Sequence, residues 1–334
     1  MTAPLLEVRD LTTCFPSPRG SFLAIDGLSL SLPRGGAIGI VGESGCGKTT
    51  LALSVMRLVP EPGKITGGQI LYDGRDLLAL SQTEMRSLRG RRLAMIFQEP
   101  LSSLNPVLTI GDQIGEAIRL HQKVGRAEAR RRSIEALRAV ELASPEHHVD
   151  SYPHQLSGGM RQRAMIAMAL SCGADLLLAD EPTTALDGTL EAQILELLGR
   201  LRRECNMALL LITHDLGVAS QTCEQILVMY AGAVVEEASA ASIFRCPAHP
   251  YTAALRDAMP TGARDPSGRR ERLRAIPGSA PGPSSSAVQG CAFAPRCARA
   301  IDSCRSERPA LLPRGEGRRV ACIRPLADPE RVPP

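Results

Sequence analysis

The stretch Gly42-Glu-Ser-Gly-Cys-Gly-Lys-Thr49 carries the most specific chemistry in the chain, because it matches GxxxxGK[ST] at every fixed position. Gly42, Gly45 and Gly47 let the backbone N–H groups around Glu43, Ser44 and Cys46 turn inward on an anion. Lys48 is expected to reach the β- and γ-phosphates of a nucleotide. The Thr49 hydroxyl, followed by Thr50, is expected to ligate Mg²⁺. A second group, Asp180-Glu181-Pro182, offers adjacent carboxylates. Asp180 suits Mg²⁺, directly or through water, and Glu181 suits orienting and deprotonating an attacking water. A third, Thr213-His214-Asp215, offers an imidazole able to hydrogen-bond the γ-phosphate and that water. An isolated Asp-Glu pair is ordinarily a solvated turn and a single His ordinarily structural; the phosphate loop is what gives both a task.

These groups need elements that deliver them to one place. Ala37-Ile-Gly-Ile-Val41 is a short apolar, β-branched run that predicts a buried strand entering the glycine loop, and Thr50–Leu58 predicts the helix that leaves it. Asp175-Leu-Leu-Leu-Ala179 predicts a second buried strand ending at Asp180, and Met207–Ile212 a third ending at Thr213. Three strand C-termini converging on one triphosphate describe a P-loop ATPase with an α/β core, since ligands of open parallel sheets bind beyond the carboxyl ends of the strands.

Leu156-Ser-Gly-Gly-Met-Arg-Gln-Arg163 stands some 20 residues before Asp180 and Glu181, and at that place it resembles the signature of ABC ATPases. Further elements match in order. Gln98, in Met95-Ile-Phe-Gln-Glu-Pro100, resembles the Q-loop glutamine; Ala185-Leu-Asp187 resembles the D-loop; His214 resembles the switch histidine; Phe15 resembles the aromatic that stacks on adenine. The resemblance implies a RecA-like P-loop NTPase core with an ABC-type antiparallel β subdomain, a helical subdomain over about 98–173 and a Cys-containing C-terminal extension. It also implies catalytic roles for Glu181, His214 and Gln98, with Gln98 joining Thr49 at Mg²⁺. ATP is then held between the phosphate loop of one subunit and Ser157, Gly158, Gly159 and Met160 of a second, with Asp187 nearby. The helix beginning at Ser157 would turn its N–H groups and positive dipole end on the γ-phosphate.

Leu101-Ser-Ser-Leu-Asn-Pro106, Ser151-Tyr-Pro-His-Gln155 and His249-Pro-Tyr-Thr252 narrow the resemblance to ATP-binding subunits of dipeptide/oligopeptide and nickel importers. That resemblance implies a second, non-identical ATP-binding subunit, two transmembrane permease subunits and an extracytoplasmic solute-binding protein. It implies a peripheral location on the cytoplasmic face of the inner membrane, and no nucleic acid partner. The other readings of the same motifs are a nickel or other small-solute importer, and a soluble ABC ATPase acting on DNA or ribosomes. The last ordinarily needs long coiled-coil insertions or two cassettes in one chain, whereas each motif occurs here once. Two local departures stand out: Cys46 where Ser is commoner, expected to make nucleotide binding sensitive to oxidation, and Gly188 after the D-loop, expected to loosen it.

Composition changes near Met259–Pro260. Residues 260–334 carry a net charge of +7 and residues 1–259 a net charge of −3, and Pro, Gly and Ser crowd into Pro277–Ser286. The division expected is an ATPase domain over 1–259 and an extension over 260–334. Cys291, Cys297, Cys304 and Cys322 cluster in that extension with spacing C-x5-C-x6-C-x17-C, flanked by Arg296, Arg299 and Arg305 that would favour thiolates. Thiolates suit iron–sulfur and zinc alike. The family resemblance favours a [4Fe–4S] cluster, with zinc or unligated thiols as the alternatives.

With 22% charged and 44% hydrophobic residues, the 334-residue chain is not a disordered polymer. Only 3% of its residues are aromatic and none is Trp, which argues against stacking on single-stranded nucleic acid. No apolar run approaches the roughly 20 residues needed to cross a bilayer. The first residues lack a basic stretch followed by an apolar one, so a cytosolic chain is expected.

Overall fold

The computed structural model describes residues 3–17, 20–98, 103–184, 186–259, 275–280, 289–315 and 317–326. Ala185 of the expected D-loop, Leu101 and Ser102 of the subfamily string, and Pro260 at the expected boundary lie outside them. The strands are β1 (Leu6–Ser17), β2 (Gly20–Leu32), β3 (Ala37–Val41), β4 (Lys64–Tyr72), β5 (Arg75–Asp76), β6 (Leu93–Ile96), β7 (Leu176–Asp180), β8 (Ala208–Thr213), β9 (Gln225–Tyr230), β10 (Ala233–Ser239), β11 (Leu312–Pro313) and β12 (Arg319–Val320). The helices are α1 (Lys48–Val55), α2 (Gln82–Leu88), α3 (Ile110–Gln122), α4 (Arg126–Ala139), α5 (Pro145–His148), α6 (Gly158–Leu170), α7 (Gly188–Cys205), α8 (Leu216–Thr222), α9 (Ala240–Arg245), α10 (Pro250–Asp257) and α11 (Asp302–Ser306). The chain divides into two compact units.

The first unit is built mainly from Leu71–Ile212. Its centre is β7, which pairs in parallel with β6 on one side (Leu93↔Leu176 to Ile96↔Ala179) and with β8 on the other (Leu176↔Ala208 to Asp180↔Ile212). Every residue of β7 is buried. That is why the strand reads as a continuous apolar run rather than an alternating one. Leu176, Leu177 and Leu178 each contribute about 2 kcal/mol of burial free energy.

Among the described residues of 103–173, helices dominate. Helix α3 starts at Thr109, whose side chain accepts the Asp112 N–H, and ends at Lys123 in the left-handed conformation with φ 54°. Ile110, Ile114 and Ile118 recur every four residues and form its buried stripe. Gly115 faces α4 across ordinary van der Waals distances, a Cβ there lying 3.5 Å from Ser133 Oγ. Helix α4 buries Ala129, Ser133 and Leu137. Its arginines face outward and pair locally, Arg131 and Arg132 both with Glu128.

The second unit comprises Glu7–Ser31, Ala37–Ile70 and the chain from Thr213 onward. In one sheet β1 lies between β2 and β4. In the other, β9 pairs in parallel with β3 and antiparallel with β10. The extension joins this unit through its own strands: β12 pairs antiparallel with β10 (Glu236↔Val320, Glu237↔Arg319) and β11 with β12. Phe293 of the extension enters the core beside Tyr230 and Tyr251, with ring centroids 5.3 Å from each. Among the described residues, no helix is long and apolar enough to cross a membrane.

Candidate functional site

In the second unit, β3 is buried throughout and hands the chain to the glycine loop at Gly42. The loop needs its glycines for steric reasons. A Cβ on Gly42 would lie 2.3 Å from the Met229 carbonyl oxygen, and one on Gly47 would lie 2.2 Å from the Ala24 carbonyl oxygen. Gly45 and Gly47 also have φ of 81° and 105°, where L side chains are strained. A Cβ on Gly45, by contrast, would meet nothing within 4 Å, so that position faces open space.

Lys48 is 5% exposed, and its Nζ donates to the carbonyl oxygens of Gly42 at 2.7 Å and Glu43 at 3.0 Å, bracing the loop from within. Helix α1 begins after Gly47 with no side-chain cap, a helix start that suits an anion. Ser44, Gly45 and Thr49 are exposed and Thr50 is half-buried. Loop, lysine and helix start therefore fit a bound polyphosphate. Cys46 is buried and burial pushes its thiol upward, which keeps it protonated and shielded, against the expected sensitivity to oxidation. Phe15 stacks on Phe22 with centroids 5.8 Å apart. His214 is exposed at the end of β8, and the next residue, Asp215, caps α8 by accepting the Gly217 and Val218 N–H groups.

In the first unit, β7 carries Asp180 to its end almost wholly buried, at 2% exposure. Glu181 then turns with φ 47°, a left-handed geometry that costs a non-glycine residue about 1 kcal/mol. The turn is held because Glu181 N–H donates to the Ile212 carbonyl at 2.9 Å. Its carboxylate Oε2 accepts from Thr184 Oγ1 at 2.8 Å and from Gln98 Nε2 at 3.3 Å. The structure thus brings Gln98 and Glu181 together. It adds Gln162, buried on α6, whose amide donates to the Pro182 carbonyl and ties the signature helix to this turn.

Ser157 caps α6 by accepting the Met160 N–H at 3.3 Å. Ser157 and Gly158 are exposed, while Gly159 packs on Leu190, where a Cβ would lie 3.2 Å from Cδ2. Asp187 Oδ1 accepts the Thr189 and Leu190 N–H groups and so starts α7. Gly188 is the first residue of that helix.

Residues 25–184 match the ABC transporter family, and residues 235–304 match the oligopeptide/dipeptide transporter C-terminal region. A probable peptide ABC transporter ATP-binding protein of Sinorhizobium fredii is 50% identical over 96% of this chain and 95% of its own length. The dipeptide transport ATP-binding protein DppD of Escherichia coli is 47% identical over 98% of both chains. The chain belongs to the ATP-binding subunits of ABC transporters. As an ABC ATPase it is an ATP hydrolase. Among solved structures it is similar to the dimeric ABC cassette MJ0796 (TM-score 0.64, 28% identity, 70% of this chain and 98% of that one). The same cassette has been solved as a post-hydrolysis dimer bound to ADP and phosphate.

One expectation for this ABC ATPase is corrected. Cys291, Cys297, Cys304 and Cys322 do line one cavity, but its volume is about 20 Å³. Among the described residues, no group of three or more His, Cys, Asp or Glu is arranged to hold a metal ion. The expected [4Fe–4S] cluster, and zinc as its alternative, are therefore not supported. Burial also pushes the Cys291 thiol up and the Cys322 thiol up to about 11, so both favour the protonated form. Arg296, expected to favour thiolates, instead pairs with the carboxylate of Glu43 at 2.6 and 2.9 Å. The cysteine spacing found four thiols that share one cavity; it does not make them a metal centre.

Proposed function

We propose that this ABC ATPase energises uptake of dipeptides or oligopeptides through two membrane permease subunits fed by an extracytoplasmic binding protein. It acts from the cytoplasmic face of the membrane with a second, non-identical ATP-binding subunit. The observation that carries this reading is similarity at 46–50% identity, over nearly the whole chain, to ATP-binding proteins named for peptide, dipeptide and oligopeptide transport. The match of residues 235–304 to a C-terminal region named for the same transporters supports it.

In this reading Lys48 and the amides from Gly42 to Thr49 hold the β- and γ-phosphates, and Phe15 packs on the adenine. Thr49, Gln98 and Asp180 hold Mg²⁺, which when bound neutralises charge on the phosphates. Glu181 accepts a proton from the attacking water and Gln98 orients it. His214 steadies the γ-phosphate. Ser157, Gly158, Gly159 and Met160 turn the start of α6 on the triphosphate of the sister subunit, beside Asp187. Binding then closes the pair of subunits, and cleavage releases it.

The test is ATP turnover in the reconstituted transporter. Adding binding protein loaded with a dipeptide raises turnover several-fold, and adding the empty binding protein does not. Equal stimulation by nickel salts with no response to any peptide would contradict the assignment.

A further inference from the structure

The C-terminal extension holds the phosphate loop at its second residue. Arg296 follows Phe293 in the extension, and its side chain is 5% exposed. Its guanidinium forms a two-pronged pair with Glu43, Nη1 to Oε2 at 2.6 Å and Nη2 to Oε1 at 2.9 Å. Two further donors are engaged: Nε donates to the Pro277 carbonyl at 2.8 Å, and Nη1 also reaches the Tyr230 hydroxyl at 3.3 Å. The guanidinium carbon lies 5.9 Å from the Tyr230 ring centroid. The charge is thus fixed by five contacts, in the fork geometry that suits Arg and not Lys.

Glu43 is gripped at its other groups as well. Its N–H donates to the Tyr251 hydroxyl at 2.8 Å, and its carbonyl accepts from Lys48 Nζ and from the Cys46 N–H. Tyr251 and Tyr230 pack edge-on at 4.6 Å, and Phe293 closes the group. Every polar handle of this loop residue therefore ends on Lys48, on the loop itself, or on an aromatic and guanidinium wall to which the extension contributes.

We propose that Arg296 is a positioning residue for nucleotide: the extension uses it to neutralise and orient Glu43, so that the loop accepts a triphosphate. The inference rests on the reading of Gly42–Thr49 as the phosphate loop. A carboxylate left unpaired at the second loop position repels a polyanion, and Glu43 no longer held is free to tilt the peptide whose carbonyl braces Lys48. Both effects act alike on bound ATP and on its transition state. The loss therefore falls on KM and leaves kcat in place.

The experiment measures ATP hydrolysis by the assembled transporter carrying Arg296→Gln, Arg296→Lys, and Arg296→Gln combined with Glu43→Gln. The expected result is a KM for ATP raised about tenfold in Arg296→Gln with kcat within twofold, and partial recovery in Arg296→Lys. The double variant is expected to recover most of the KM, because the unpaired carboxylate is gone. A merely structural role for Arg296 would lower the melting temperature and kcat together, and the double variant would be no better than the single one; that pattern overturns the inference, as does an unchanged KM in Arg296→Gln. Lys48→Ala serves as the separate control. If it hydrolyses ATP normally, the phosphate-loop reading has failed; if it is inactive while Arg296→Gln is normal, only the role of Arg296 has.

Discussion

Replacing Glu181 by glutamine changes one atom of the side chain and removes its ability to take a proton. The structure says what the rest of the protein feels. Glu181 Oε2 accepts from Thr184 Oγ1 and Gln98 Nε2, and an amide oxygen can accept both of those bonds. The left-handed φ of 47° is no harder for Gln than for Glu. The stability cost of Glu181→Gln is therefore below about 1 kcal/mol. The catalytic cost is different in scale. A positioned general base is worth roughly 10²–10⁴ in rate, or about 3–5 kcal/mol of barrier. The assay is phosphate release by the assembled transporter at saturating Mg·ATP, alongside an equilibrium titration with nucleotide. We expect turnover to fall at least about a hundredfold while ATP affinity holds or tightens. Turnover within threefold of the parent would refute the assignment of Glu181 as base. A parallel loss of affinity would show that the carboxylate serves binding instead.

Other expected outcomes come from the same geometry. Gly47→Ala forces a Cβ to within 2.2 Å of the Ala24 carbonyl at a φ of 105°, so the loop must open; nucleotide binding is abolished and the melting temperature falls, and a Gly47→Ala chain that binds ATP normally would refute the steric argument. His249 is buried and its Nδ1 accepts the Tyr251 N–H; burial pushes its pKa down to about 4. An unfolded imidazole titrates near 6.5, so below that pH the unfolded chain binds the extra proton first. Stability is then complete above about pH 6.5 and drops by about 3 kcal/mol as pH falls to 4. Buried Glu236 is shifted upward and pulls the other way, but it does so equally in His249→Asn, which keeps an N-cap acceptor. Urea unfolding of the two chains across pH 7 to 4 should show a smaller loss in His249→Asn, and identical profiles would count against this account.

The nucleotide machinery is legible in the sequence because its chemistry is local. The strand over Ala37–Val41, the glycine loop and the following helix are contiguous, and each residue type answers a constraint the backbone imposes within a few positions. The buried strand before Asp180 is equally plain, since an unbroken leucine run has few other homes. What escapes is long-range. Arg296 and Glu43 are 253 residues apart, and nothing in either neighbourhood announces the other; by sequence alone Arg296 belongs with the cysteines beside it. Gln162 is visible as part of the signature, but its contact with the Pro182 carbonyl depends on how α6 packs. The four cysteines do gather around one cavity, yet spacing carries no information about whether their arrangement can hold a metal ion, and among the described residues it does not.

In the proposed reading, ATP cleavage on this chain drives peptide across a membrane. Proteoliposomes holding the complete transporter, with ATP inside and a labelled dipeptide bound to the binding protein outside, test it in one measurement. Label is expected to accumulate with the parent chain and not with Glu181→Gln, although both complexes assemble and bind ATP. Accumulation that continues unchanged in Glu181→Gln, or ATP consumption in the parent with no peptide entering, would contradict it.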